Sequence, residues 1–223
     1  MKVKLFAHFV WNASIFTADL ISSRQFSVVG ESVLELGAGT GLPGILAALE
    51  GADLVILSDY KSPKLLANLE RNVAENIPPN LKDKVKVEGH IWGQDDSAIT
   101  QYLLFLCLSL IHRYRKSFSR IIAADCYWMS DQHEALVWSL THFLEKSSAA
   151  RVFMVAGLHT GRSVISNFFR VAGSRGLVPD DNGIEEHNVV NGITRGWEEE
   201  RGIEDLVERK QWLVVTRLKW CLS

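Results

Sequence analysis

The sequence predicts an α/β protein, a seven-stranded and mostly parallel sheet with helices on both faces and its last strand antiparallel. Three observations carry this. Short Val/Ile/Leu-rich runs alternate with longer segments of helical period along the whole chain. The central runs are almost continuously apolar, as expected where helices cover both faces of a sheet. The last two runs have no helical pattern between them, so they should pair with each other at one end of the sheet.

Taken in order, Trp11–Ser22 reads as a helix leading into a first strand, Ser32–Leu36. A Gly-rich turn follows, then a helix over Pro43–Glu50, where Pro43 suits a first turn whose N–H groups have no partner inside the helix. Strand Leu54–Ser58, helix Ser62–Asn76 and strand Lys84–Glu88 come next, then a helix over Ser97–Arg115 and strand Arg120–Ala124. Asp131 precedes an apolar-periodic segment and is expected to cap a helix over Asp131–Lys146. Strand Arg151–Ala156 and helix Arg162–Arg175 precede the final strands, Glu185–Val190 and Trp212–Leu218. Length and pattern fit one domain over residues 1–223, with residues 1–30 a helical cover and residues 31–223 the core.

Composition narrows the class. Hydrophobic residues at 47 % and charged residues at 22 % exclude a disordered or fibrous chain. A net charge of −2 argues against a bulk electrostatic grip on nucleic acid or an anionic membrane. The apolar run Tyr102–Ile111 is half the roughly 20 residues a membrane span needs, and the N-terminus lacks the features of a signal peptide. Three scattered cysteines, Cys107, Cys126 and Cys221, form neither a disulfide framework nor a CxxC metal pair. These features point to a cytoplasmic monomer without a metal, a nucleic-acid partner or a membrane. Between Asp180 and Lys210 ten acidic residues face four basic ones, a local charge of −6 that leaves +4 for the rest. Such a stretch reads either as a solvated loop or as an acidic lip for a cationic substrate.

The sharpest motif is Val33-Leu34-Glu35-Leu36-Gly37-Ala38-Gly39-Thr40-Gly41-Leu42-Pro43-Gly44, a buried strand running into a Gly-rich turn and a helix. Two registers compete. Gly39-x-Gly41-x-x-Gly44 matches a dinucleotide-binding pattern but starts two residues past the strand. Gly37-x-Gly39-x-Gly41 follows the strand directly, with Glu35 two residues ahead, and suits a nucleoside carrying an amino acid and no pyrophosphate, S-adenosylmethionine. Asp59, at the end of the second strand, is placed to accept ribose hydroxyls in either case or to cap the next helix.

With Val10-Trp11-Asn12-Ala13, Ser58-Asp59-Tyr60, Ile91-Trp92-Gly93, Ala124-Asp125-Cys126-Tyr127-Trp128 and Ala156–Arg162 added, the chain resembles class I, seven-stranded S-adenosylmethionine-dependent methyltransferases. Within them it is similar to the lysine-methyltransferase-like family, which includes fungal nicotinamide N-methyltransferase-like proteins and the elongation-factor 1A N-terminal and lysine methyltransferase. The resemblance implies a Rossmann-like fold, S-adenosyl-L-methionine as cofactor and transfer of a methyl group. It places Trp11 at the methionine and ribose end, Gly37 and Gly39 under the methionine and Asp59 on ribose, with Glu35 and Gly41 also in the cofactor site. Tyr60 and Trp92 would flank adenine, and Ala124 would touch the cofactor. Tyr127 and Trp128 would line the substrate site, where Trp128 replaces the Tyr or Phe common in relatives. Only ten residues precede Trp11, which implies a more open site or a shortened cover.

Methyl transfer from a sulfonium mainly requires alignment of nucleophile, methyl carbon and sulfur. An amine acceptor must also be neutral to attack. Asp125, at the end of a central strand, is expected to hold it, and His159, on the same rim, to orient it or accept a proton. A protein amine, a lysine or N-terminus, is the expected acceptor, with a translation factor one candidate. The alternatives are transfer to N or O of a small molecule, such as an amine or a nicotinamide-type acceptor, and a non-catalytic protein that has kept the fold.

Overall fold

A computed structural model describes residues 9–95, 99, 101, 118–202 and 204–221. The expected helix over Ser97–Arg115, with its apolar run, falls almost wholly outside these residues, as does the N-terminal part of the expected cover. The chain order is α1 (Asn12–Ser22), β1 (Ser32–Leu36), α2 (Leu42–Leu49), β2 (Leu54–Asp59), α3 (Pro63–Asn76), β3 (Val85–Gly89), β4 (Arg120–Ala124), α4 (His133–Phe143), β5 (Arg151–Gly157), α5 (Arg162–Ser174), β6 (Leu177–Asn188), β7 (Thr194–Gly196), α6 (Leu206–Arg209) and β8 (Trp212–Trp220).

The strands form one sheet in the order β3-β2-β1-β4-β5-β8-β6-β7, with β3 to β5 parallel and β8 antiparallel to both neighbours. Its period of two sorts the side chains into two cores. Leu34, Leu36, Ile121, Val152 and Met154 meet Leu136, Leu140 and Phe168 of α4 and α5 on one face. Val33, Val55, Ile122, Phe153 and Val155 meet Leu20, Ile21, Ile45 and Leu69 of α1 to α3 on the other. Burial on both faces explains why these strands read as continuous apolar runs. The chain leaves β1 for β2 on one side and returns to β4 on the other, so a crevice opens at the strand ends between β1 and β4.

Three expectations need correction. Among the described residues the sheet has eight strands, because Thr194–Gly196 pairs with Glu185–His187. Strand β6 begins at Leu177, well before the expected Glu185; its register shifts between Pro179 and Ile184, so the turn-like Asp180-Asp181-Asn182-Gly183 forms an irregularity inside a strand. Asp131 caps nothing: it lies in a single 3-10 turn, Ser130–Gln132, and α4 begins only at His133. A side-chain cap does occur on α6, where the Asp205 carboxylate accepts from the N–H groups of Val207 and Glu208 at 2.7 and 3.0 Å. Among the described residues no helix is long and apolar enough to cross a membrane.

Candidate active site

Strand β1 ends at Leu36 and the turn begins at Gly37, which places the first glycine where the Gly37-x-Gly39-x-Gly41 register puts it. Gly37 has φ 67°, and an added Cβ would lie 3.0 Å from Cys126 Sγ and 3.3 Å from the Trp92 ring. The backbone there can approach a ligand because nothing projects from it. Gly44, the last glycine of the competing register, is needed for packing instead: a Cβ there would lie 2.5 Å from Glu35 Oε2.

Glu35 is fully buried and accepts from the Gly44 N–H at 3.0 Å, tying the first turn of α2 to β1. Burial pushes its carboxyl up to about 8, with a smaller push from Asp59 and an opposing pull from the Gly44 N–H. Asp59 joins the glycine turn after β1 to the loop after β2. Its Oδ2 accepts from Gly39 N–H and its Oδ1 from Tyr60 N–H, both at 2.6 Å. Burial raises its pKa and these two bonds oppose the rise. The helix-cap alternative for Asp59 is not what the structure shows, since α3 starts after Ser62. Each carboxylate oxygen keeps a second lone pair for a hydroxyl.

Two aromatic side chains, Tyr60 and Trp92, adjoin this floor. Tyr60 is 51 % exposed, Trp11 stands 44 % exposed at the start of α1, and Trp92 is half-buried over Gly37. The Trp92 turn is fixed by a residue that no sequence pattern singles out. Ser139 Oγ of α4 accepts from Gly93 N–H at 3.0 Å and bonds His90 Nε2 at 3.0 Å. Ala124 closes the floor at the end of β4.

The acceptor side begins one residue later. Asp125 has φ 57°, a conformation open to Asp but uncommon outside glycine. Its N–H donates to Val155 O at 2.7 Å and its Oδ1 accepts from Gly157 N–H at 3.0 Å, so β5 aims the carboxylate. Burial raises its pKa, while the Gly157 N–H and then His159 pull it down. His159 is exposed, and its ring leans over Gly157: a Cβ on Gly157 would meet His159 Nδ1 at 2.5 Å and Asp125 Oδ1 at 3.7 Å. The two side chains proposed for the chemistry thus meet around one glycine. Cys126 lies beneath them, its thiol donating to Leu36 O at 3.4 Å, and burial pushes its pKa up. Tyr127 differs from the expectation. It is 1 % exposed and packed against Phe168 at 4.5 Å, so it supports the loop from inside and cannot touch an acceptor. Trp128, 39 % exposed, is the aromatic that faces out.

A family description, lysine methyltransferase, matches residues 2–174. The chain belongs to the lysine methyltransferase family. Among its curated relatives is the protein N-terminal and lysine N-methyltransferase EFM7 of Candida glabrata, 32 % identical over 176 residues, which are 79 % of this chain and 65 % of the relative. The enzyme of the same name from Schizosaccharomyces pombe is 30 % identical over 175 residues, 78 % of this chain and 65 % of its own. The chain therefore spans about two thirds of the length of these relatives. Among solved structures, a putative RNA methyltransferase from Pyrococcus horikoshii shares the fold with a TM-score of 0.60 at 16 % identity, over 95 % of this chain and 84 % of that one. The magnesium protoporphyrin IX methyltransferase of Synechocystis, solved with SAH bound, does so with a TM-score of 0.55 at 14 % identity, over 92 % and 80 %. In this lysine methyltransferase chain the Gly37 cradle, the Asp59 oxygens and the Tyr60 and Trp92 rings fit S-adenosylmethionine, a nucleoside joined to an amino acid.

Proposed function

We propose that the chain is an S-adenosylmethionine-dependent methyltransferase that methylates a protein amine, a lysine or an N-terminus. The observation that carries this is the meeting of Asp125 and His159 around Gly157, at the end of the strand beside β1 and its glycine turn. The cofactor supplies a methyl group on a sulfonium. The chain's own residues do the rest. Gly37 and Asp59 hold the cofactor, and Trp92 and Tyr60 take its flat base. Asp125 accepts a hydrogen bond from the incoming amine and stabilises the positive charge the nitrogen gains. His159 takes up the proton that a protonated amine must lose first.

The protein acceptor is favoured over a small molecule by the openness of the rim. Tyr60, next to Asp59, and Trp128, three residues after Asp125, stand well exposed, whereas a small-molecule pocket encloses most of its ligand. The curated relatives, named for N-terminal and lysine methylation, support the same choice. On this reading the acceptor is a cytoplasmic protein, a translation factor being one candidate, and the enzyme works as a monomer. Tritiated methyl transfer in a cell lysate, separated into protein and small-molecule fractions, tests it. Label is expected in protein; label confined to small molecules would overturn the choice.

A further inference from the structure

Arg162 opens α5 three residues beyond His159, and its side chain is almost entirely buried. Its Nη1 and Nη2 donate to Oε1 and Oε2 of Glu186 at 2.6 and 2.9 Å. Nη2 also donates to Glu204 at 2.6 Å, and Nη1 to the Glu198 carbonyl at 2.7 Å. The guanidinium lies 4.9 Å over the Trp197 ring. Glu186, completely buried, accepts in addition from Arg195 at 2.8 Å, and Arg195 lies 3.6 Å over Trp212. From the other side of the cluster, Arg209 donates to the His159 carbonyl at 3.1 Å.

The acidic stretch is therefore two things at once. Glu186 and Glu204 are consumed internally by arginines, while Glu199, Glu200 and Glu208 are exposed and make no ion pair among the described residues. The aliphatic side chains of the same stretch, Val189, Val190, Ile193, Leu206 and Val207, are exposed as well. A segment with its aliphatics turned outward cannot be held by their burial. Buried ion pairs are a weak source of stability compared with apolar packing, but bidentate arginine contacts fix geometry. The geometry fixed here belongs to the end of the sheet that carries Asp125 and His159, because β6 runs parallel to β5 and the segment leaves from its far end.

We infer that Arg162 is a positioning residue for the acceptor: through Glu186 and Glu204 it holds residues 194–202 and 204–209 as a wall beside His159, on which a basic segment of a protein acceptor docks. The inference rests on the protein-amine reading above and adds the surface that would recognise the protein. The exposed carboxylates supply the charge complementarity, and the exposed Leu206 and Val207 supply apolar contact.

The test compares Arg162→Met, Arg162→Lys and Glu204→Gln with the wild-type chain. S-adenosylhomocysteine affinity is measured by calorimetry, kcat and apparent KM by methyl transfer to dialysed lysate protein, and the mobility of residues 194–209 by hydrogen exchange. Glu204→Gln leaves the Arg162–Glu186 pair in place and is expected to raise the acceptor KM by about three- to tenfold, the loss of one charge-assisted bond. Arg162→Met should raise it further, with Arg162→Lys in between because an ammonium lacks the planar fork. In all three, S-adenosylhomocysteine affinity should stay within about twofold, kcat should fall less than KM rises, and exchange in 194–209 should quicken. Unchanged KM in folded variants would overturn the inference, as would cofactor affinity lost in step with KM. If Arg162→Met does not fold, the other two variants decide. A wild-type chain that labels no protein overturns the protein-amine reading and the docking wall with it, whereas an active wild type with unaltered variants overturns the wall alone.

Discussion

Gly39 and Asp59, twenty residues apart, meet through a 2.6 Å hydrogen bond between backbone and carboxylate. Arg162 and Glu204, forty-two residues apart, meet through an ion pair of the same length. The first contact belongs to the half of the rim proposed to hold the cofactor, where one carboxylate links adjacent loops of neighbouring parallel strands. The second belongs to the half proposed to hold the acceptor, where a long polar segment is tied down by arginines. The cofactor half is built from backbone N–H groups, which every sequence carries and which change little with solvent. The acceptor half is built from side-chain charges, which substitution can redraw without touching the cofactor. A rim divided in this way can keep one cofactor and change its acceptor.

The comparison breaks first at Asp59. Asp59→Ala removes the acceptor of two backbone bonds as well as the ribose partner, so S-adenosylhomocysteine affinity should fall by about 2–3 kcal/mol, roughly 30- to 150-fold. Hydrogen exchange in 194–209 should be unaltered; a matching change there would show the halves to be coupled. Calorimetry with unchanged affinity would remove Asp59 from the cofactor site.

Asp125 stands at the seam. Asn also tolerates a positive φ and keeps an oxygen for the Gly157 N–H, so Asp125→Asn deletes the charge with little else. Turnover should fall about tenfold, the equivalent of 1.4 kcal/mol, with cofactor affinity intact. Full activity would shift the amine-holding role to His159.

Glu35 gives the cofactor half a pH dependence of its own. Its folded carboxyl titrates at about 8 against an ordinary 4.5, so between these values the folded chain holds a proton that the unfolded chain releases. Stability from this group is present below the lower value and is lost as pH rises toward the upper one, by up to about 1.4 kcal/mol per pH unit. Glu35→Gln, which can still accept from Gly44, should flatten the fall in denaturation midpoint between pH 6 and 8. Parallel curves for the two proteins would refute the assignment.

The smallest effect expected is that of salt. Glu199, Glu200 and Glu208 are exposed, and added salt shortens the screening length to about 10 Å at 0.1 M, so acceptor KM should rise a few-fold with ionic strength. S-adenosylhomocysteine affinity, set by buried hydrogen bonds, should move less. Equal salt dependence of the two would erase the distinction between the halves.

The Gly37 turn and the position of Asp59 were legible in the sequence because their parts are local: a strand, three glycines in register after it, and a carboxylate at the end of the next strand. The alternation of strands and helices was legible for the same reason, since two-sided burial leaves continuous apolar runs. Thr194–Gly196 left no such trace, being three residues held only by their partner strand. The bulge at Asp180–Gly183 carried turn residues, and only pairing with β8 on both sides made it part of a strand.

By itself, then, the sequence determined the fold class, the glycine register and the placing of Asp59 and Asp125 at strand ends, because period and spacing act over a few residues. Tertiary structure alone decided that Tyr127 turns inward while Trp128 faces out, that Ser139 fixes the Trp92 turn, and which of ten acidic residues are spent on arginines. Those outcomes depend on pairings between residues from 24 to 46 positions apart, such as Arg162 with Glu186 and Gly93 with Ser139. No local pattern encodes them; packing brings the partners together, and the cost of leaving a buried charge or N–H unpaired selects the arrangement.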